Sequence, residues 1–125
     1  MLGILLASLL MAQSPVVVEG KWRVAKMNGK SLSKGVKPPT VEFAAQGRVA
    51  GFSGCNRFGG SYSIEGTQLK LSELIATRMA CAGQGMELED RFFKLFAGEL
   101  KMKASKNRID LRNSRNEVVI RLQRD

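Results

Sequence analysis

The chain has 125 residues, enough for one domain with a buried core, and its 44% hydrophobic and 25% charged content excludes a disordered protein. Against 11 acidic side chains stand 20 basic ones, a net charge of +9 that favours anionic surroundings. With no histidine and only Cys55 and Cys81, the chain cannot build a Ser-His-Asp or Cys-His catalytic group, a His-based zinc site or a four-thiolate site, so neither metal nor other cofactor is expected.

Leu2 to Met11 (LGILLASLLM) is uncharged and apolar. It is too short to span a bilayer and suits the h-region of a signal peptide, although no positive n-region precedes it and no clean A-x-A site follows. Cleavage is expected near Ala12 or Gln13, which makes 1–15 a signal peptide and 16–125 the mature domain. The alternative is a buried amino-terminal strand or helix. All charged side chains lie from Glu19 onward.

Lys21–Met27 alternates as a strand, with Trp22 its largest core candidate, and Asn28-Gly29 signals a tight turn. Ser31–Pro39 reads as a loop. Thr40–Phe43 and Arg48–Phe52 form a hairpin around Ala45-Gln46-Gly47. The glycine-dense stretch Ser53–Gly60 reads as a loop, and Ser61–Ile64 with Gln68–Leu71 as a second hairpin turning at Glu65-Gly66. Met86–Leu100 is predicted as a helix because Leu88, Phe92, Leu95 and Phe96 make one apolar stripe, widened by Phe93 and Leu100. Glu87, Glu89 and Asp90 suit its positive end, and Glu87/Arg91 and Asp90/Lys94 are spaced as i,i+4 pairs. Lys101–Ala104, Arg108–Leu111 and Val118–Leu122 close the chain as strands, with Arg108, Arg112 and Arg121 outward and Asp110 and Glu117 at exposed positions. The predicted fold is α+β: a curved, barrel-like antiparallel sheet of about seven or eight short strands packed with one amphipathic helix.

The segments around the cysteines carry a resemblance. Trp22, Asn28-Gly29, Pro39 with Val41-x-Phe43, Gly51-Phe52-Ser53-Gly54-Cys55-Asn56-Arg57-Phe58-x-Gly60-x-Tyr62 and Ala76-Thr77-Arg78-Met79-Ala80-Cys81 occur in the order found in the META domain family of HslJ-like, heat-inducible envelope proteins. The chain resembles that family over residues 20–123. The resemblance implies an exported antiparallel domain linked to envelope stress tolerance, with no established catalytic activity. Lipoprotein relatives carry a lipidation cysteine that this chain lacks beside Leu10-Met11-Ala12-Gln13-Ser14, so a periplasmic or secreted form without a lipid anchor is expected.

An isolated cysteine pair in an oxidising compartment is most simply a structural disulfide, worth roughly 3–4 kcal/mol in the chain-entropy model. The alternative is two buried, unpaired cysteines acting as small hydrophobes. The Gly54–Gly60 segment lacks the lysine and following helix of a phosphate loop, so its glycines are read as turn residues first and ligand contacts second. If Cys55 and Cys81 are joined, Arg57 and Arg78 come close enough to receive a carboxylate or phosphate, unless each pairs with a surface glutamate. Asn56, Arg57, Tyr62 and Arg78 are therefore the candidate ligand residues, with Phe58 and Tyr62 the candidates for exposed stacking. Glu73 has no assigned role.

The reading that follows is a monomeric, noncatalytic exported domain that binds a protein or an anionic envelope component and has no transmembrane span. The alternative is a basic nucleic-acid-binding β-barrel; a hydrolase built on scattered carboxylates ranks third.

Overall fold

A computed structural model describes residues 17–125; the expected signal peptide, 1–15, lies outside them. Nine strands follow in chain order: β1 (Gly20–Met27), β2 (Lys30–Ser31), β3 (Thr40–Ala44), β4 (Arg48–Phe52), β5 (Arg57–Glu65), β6 (Gln68–Ala76), β7 (Glu99–Ala104), β8 (Arg108–Arg112) and β9 (Val118–Arg124). One helix, α1 (Gln84–Leu95), stands between β6 and β7. Every pairing is antiparallel, and β1 pairs with both β3 and β9, which closes eight strands into a barrel with β2 as a short flap on β1. Closure is shortest between β6 and β7, where only Gln68–Lys70 pairs with Glu99–Lys101.

Alternation dictates what fills the barrel. Trp22, Val24, Met27, Val41, Phe43, Leu69, Ile109, Leu111, Ile120 and Leu122 are all at most 1% exposed and face one interior. Trp22 keeps its indole satisfied by donating to the Val18 carbonyl at 2.8 Å, and the Arg124 guanidinium sits 4.1 Å from the centre of its ring. The Asn28-Gly29 turn has φ of 50° and 77°, the left-handed pair that tight hairpins need. The second hairpin turns one residue later than predicted: Glu65 pairs with Gln68, so Gly66-Thr67 makes the turn.

Of the boundaries that differ from the sequence reading, three have a plain physical reason. The helix stops at Leu95, with the Phe96 N–H closing on the Phe92 carbonyl at 2.8 Å and Gly98 turning the chain at φ 63°. Leu100, which is in phase with the helical stripe, is buried from β7 instead. Neither expected pair on the helix, Glu87/Arg91 or Asp90/Lys94, is among the ion pairs formed by the described residues. The predicted glycine loop shrinks to Ser53–Asn56, because Arg57–Gly60 already belongs to β5.

Finally, β6 runs on to Ala76 through a bulge. Gly59 pairs with Ile75 but Ser61 pairs with Ser72, and Glu73 takes up the extra residue at φ 56°. The bulge reverses the parity of the strand, so Leu69 and Leu71 point inward before it and Leu74 and Ala76 pack against the core after it. That is the role of Glu73. Gly60 lies against the bulge so closely that a Cβ there would stand 2.9 Å from the Glu73 carbonyl oxygen and 2.8 Å from Leu74 Cδ2.

The helix joins the barrel through aromatic rings. Phe58, at 5% exposure, lies 5.6 Å from Phe92, 5.5 Å from Phe93 and 6.0 Å from Phe96, ring centre to ring centre. Phe58 is thus a core residue and offers no exposed stacking surface.

Candidate functional site

The most distinctive residues converge where α1 meets the loop between β4 and β5. Ser53-Gly54-Cys55-Asn56 folds on itself, with the Ser53 N–H donating to the Asn56 carbonyl at 2.8 Å. Gly54 has φ of 116°, and a Cβ on it would approach Leu88 Cγ to 3.0 Å and the Glu89 nitrogen to 3.2 Å. Glycine is needed there twice over, for the backbone angle and for the close approach of the helix. Cys55 is bonded to Cys81 with 5.9 Å between Cα atoms, which ties this loop to the segment before α1.

Glu89 projects from α1 into the same place and is 8% exposed. Its carboxylate accepts from the Ser53 hydroxyl, from the Asn56 N–H at 3.0 Å and from Asn56 Nδ2 at 3.1 Å. Burial alone would raise its pKa; the hydrogen bonds from Ser53 and from the side chain and backbone of Asn56 outweigh that, and hold the pKa below its ordinary 4.5. The expectation that Glu89 simply serves the positive helix end gives way to this: it is an anion held by Ser53 and Asn56 of the loop between β4 and β5.

Asn56 is the hub. It is 2% exposed, and its side chain uses its full capacity of two donors and two acceptor sites. Oδ1 accepts from the Met79 N–H at 2.7 Å and the Thr77 hydroxyl at 3.0 Å. Nδ2 donates to Glu89 Oε2 at 3.1 Å and to the Met79 carbonyl at 3.2 Å. The Thr77 hydroxyl in turn accepts from the Arg57 N–H at 3.2 Å, and the Thr77 N–H donates to the Arg57 carbonyl at 3.0 Å. Asn56 therefore has no polar atom left for a ligand.

The side chains of the other three candidates take no part in this hub. Arg57 and Arg78 are exposed, and neither pairs with a carboxylate among the described residues. Arg57 borders a shallow cleft of about 330 Å³ with Lys21, Lys37, Glu42 and Asp125. Tyr62 stands five residues further along β5, about 16 Å at the rise of a strand. It donates from its hydroxyl to the Ala44 carbonyl at 2.9 Å and meets Phe43 edge-on at 5.0 Å. Burial, with a smaller contribution from Glu19, pushes its phenol above the ordinary 10.0.

Sequence reasoning missed Ser53, Thr77 and Glu89. Their types gave a signal only in combination, since a buried glutamate needs donors and the segments carrying them lie 33 and 36 residues away. Among the described residues no group of three metal-ligating side chains forms.

The geometry explains why the Ser-Gly-Cys-Asn and Thr-Arg-Met-x-Cys segments occur together: each supplies one side of the joint into which Glu89 projects. Residues 15–125 match the META domain. The chain belongs to the META domain family. Among its similar proteins, the Heat shock protein HslJ of Escherichia coli (strain K12) is 26% identical over 97 residues, which is 77% of this chain and 69% of HslJ. A solved NMR structure superposes with a TM-score of 0.65 at 24% identity, over 82% of this chain and 86% of its own. An NMR structure of a protein from Burkholderia xenovorans gives a TM-score of 0.65 at 23% identity, over 84% and 81%. Both share the fold of this chain.

One consequence of the joint is a pH dependence. Glu89 has a native pKa below its unfolded one, so its contribution is present above the unfolded value and is lost as pH falls through the native value. Glu89→Gln places an amide against donors that need an acceptor, and is expected to cost about 2–3 kcal/mol at pH 7. The gap between variant and parent should close on acidification below the ordinary carboxylate range, as read by urea unfolding at several pH values. A gap that stays constant down to pH 2 would show that the charge of Glu89 contributes nothing.

Proposed function

We propose that this META domain is a noncatalytic, exported protein that supports envelope stress tolerance by binding a protein or an anionic envelope component. The observation that carries the noncatalytic part is the Asn56 hub: the Asn56 side chain is 2% exposed and spends its polar atoms on Thr77, Met79 and Glu89. Ser53, the one hydroxyl set against a carboxylate there, is 0% exposed and cannot meet a substrate. The Cys55–Cys81 bond supports an oxidising compartment. The stress role draws on the name of the Escherichia coli relative, a heat shock protein. Contact with a partner falls to exposed cations, with Arg57 and Arg78 among them.

The test is an intact mass of the unreduced protein from envelope, medium and cytosol fractions. The expected species lacks the leader and two hydrogens and is absent from the cytosol. A full-length mass with free thiols, confined to the cytosol, would overturn the reading.

A further inference from the structure

The barrel register gathers the carboxyl-terminal cations onto one outer surface. Across β7, β8, β9 and β1, residues Lys103, Asp110, Arg121 and Lys26 stand opposite one another in a single row. Beside it Lys101 faces Arg112, and on the other side Arg108, Gln123 and Arg23 line up in the same way. Strands about 4.8 Å apart make this a cationic surface roughly 15 Å wide.

Asp110 was expected at an exposed position, but it is 6% exposed. Arg121 grips it through Nε at 2.8 Å and Nη2 at 3.5 Å, and Arg108 approaches to 3.8 Å. One carboxylate thus spaces and orients two guanidinium groups, while Lys26, Lys101 and Lys103 make no ion pair among the described residues. At the edge of this surface the 31–38 loop overhangs an open groove of about 520 Å³, which Arg23, Lys26, Lys34, Arg108 and Arg121 share with Leu32 and Val36.

We infer that this face is a docking surface for an anionic phospholipid bilayer, with the groove receiving a phosphodiester headgroup. The reading deepens the proposed binding of an anionic envelope component, and rests on export for access to such a membrane. Charge complementarity selects the partner. Several cations lie on one broad sheet face, and a groove with basic walls and apolar Leu32 and Val36 suits a headgroup joined to its glycerol. Single-stranded nucleic acid would need aromatic platforms, and the outward residues in these rows include none.

The test uses the full chain and vesicles of phosphatidylglycerol and phosphatidylcholine, or of phosphatidylcholine alone. A triple variant, Lys26→Gln, Lys101→Gln, Lys103→Gln, is compared with Arg48→Gln, Arg91→Gln, Lys94→Gln, which removes the same charge elsewhere. Thermal unfolding of both verifies folding, and the shared leader cancels between them. At roughly fivefold per cation near an anionic surface, the first variant should need about a hundredfold more anionic lipid for half-binding. The second should change it only a few-fold, and binding should weaken with salt. Equal loss in both variants would overturn the inference. So would tighter binding to a DNA duplex than to anionic vesicles through the same three lysines, which would reassign the face to nucleic acid. A cytosolic protein that passes the vesicle test would sink the export reading and leave the chemistry of the face standing. An exported protein that fails it would do the reverse.

Discussion

Asn56→Ala is expected to lower stability by about 3–5 kcal/mol, against the 5–15 kcal/mol that holds a typical domain together. The size follows from what the alanine leaves behind. The Met79 N–H loses its 2.7 Å acceptor, the Thr77 hydroxyl loses its 3.0 Å acceptor, and Glu89 loses a donor at 3.1 Å. Glu89 is too buried for water to replace its lost bond freely, and an anion stripped of a donor inside a protein is costlier than a neutral group. The midpoint of thermal unfolding should fall by roughly 10–20 °C. Asn56→Asp sharpens the test, because it keeps the shape but sets a carboxylate oxygen where Nδ2 now faces Glu89. That variant should be at least as unstable at pH 7 and recover part of the loss in acid. A loss below about 1 kcal/mol for Asn56→Ala would mean that the hub is ornamental, contrary to its geometry.

The contrast between strands and hub shows what a sequence exposes. Ile109/Leu111 and Ile120/Leu122 announce their inward faces by alternation alone, and Asn28-Gly29 announces its turn because only certain residues tolerate positive φ. These signals are local, and the barrel could be read from them. Leu100 misleads because it fits both a helical stripe and a strand interior; Gly98 was the stop signal that decides between them. Glu73 stays silent for the opposite reason, since a bulge depends on the register of the partner strand and leaves little mark on its own residue. Glu89 and Asp110 look like ordinary surface carboxylates until distant donors close over them. Their partners, Asn56 and Arg121, are fixed only when the barrel assembles. Of the candidate ligand residues, Asn56 spends its side-chain polar atoms inside the fold, and a sequence cannot tell a spent polar side chain from a free one.

Removing the disulfide through Cys55→Ala with Cys81→Ala is expected to cost about 3–4 kcal/mol. The bond spans a sequence separation of 26, and a loop of that size loses closure entropy worth roughly 3.5 kcal/mol in the unfolded chain. The same two segments that the disulfide joins are also joined by Asn56, so the two devices should not act independently. With the disulfide in place, residues 77–81 cannot retreat, and Asn56→Ala strands the Met79 N–H and Glu89 at full cost. Without it, that segment can peel away and rehydrate, which lowers the penalty for losing Asn56. The helix start would loosen with it, because Gly83 stands before α1 as an N-cap with no side-chain hydrogen bond and Gly85 lies against the disulfide and the Gly54 carbonyl. The combined variant should therefore be more stable than the sum of the separate losses predicts, by about 1 kcal/mol or more. Urea unfolding of the four proteins in the cycle measures that coupling. Hydrogen exchange should show residues 77–85 opening first in the cysteine-free protein while the β8–β9 amides stay protected. Additivity within about 0.5 kcal/mol would mean that the cross-link and the hub stabilise different parts of the barrel, and that their shared segments are a coincidence of packing.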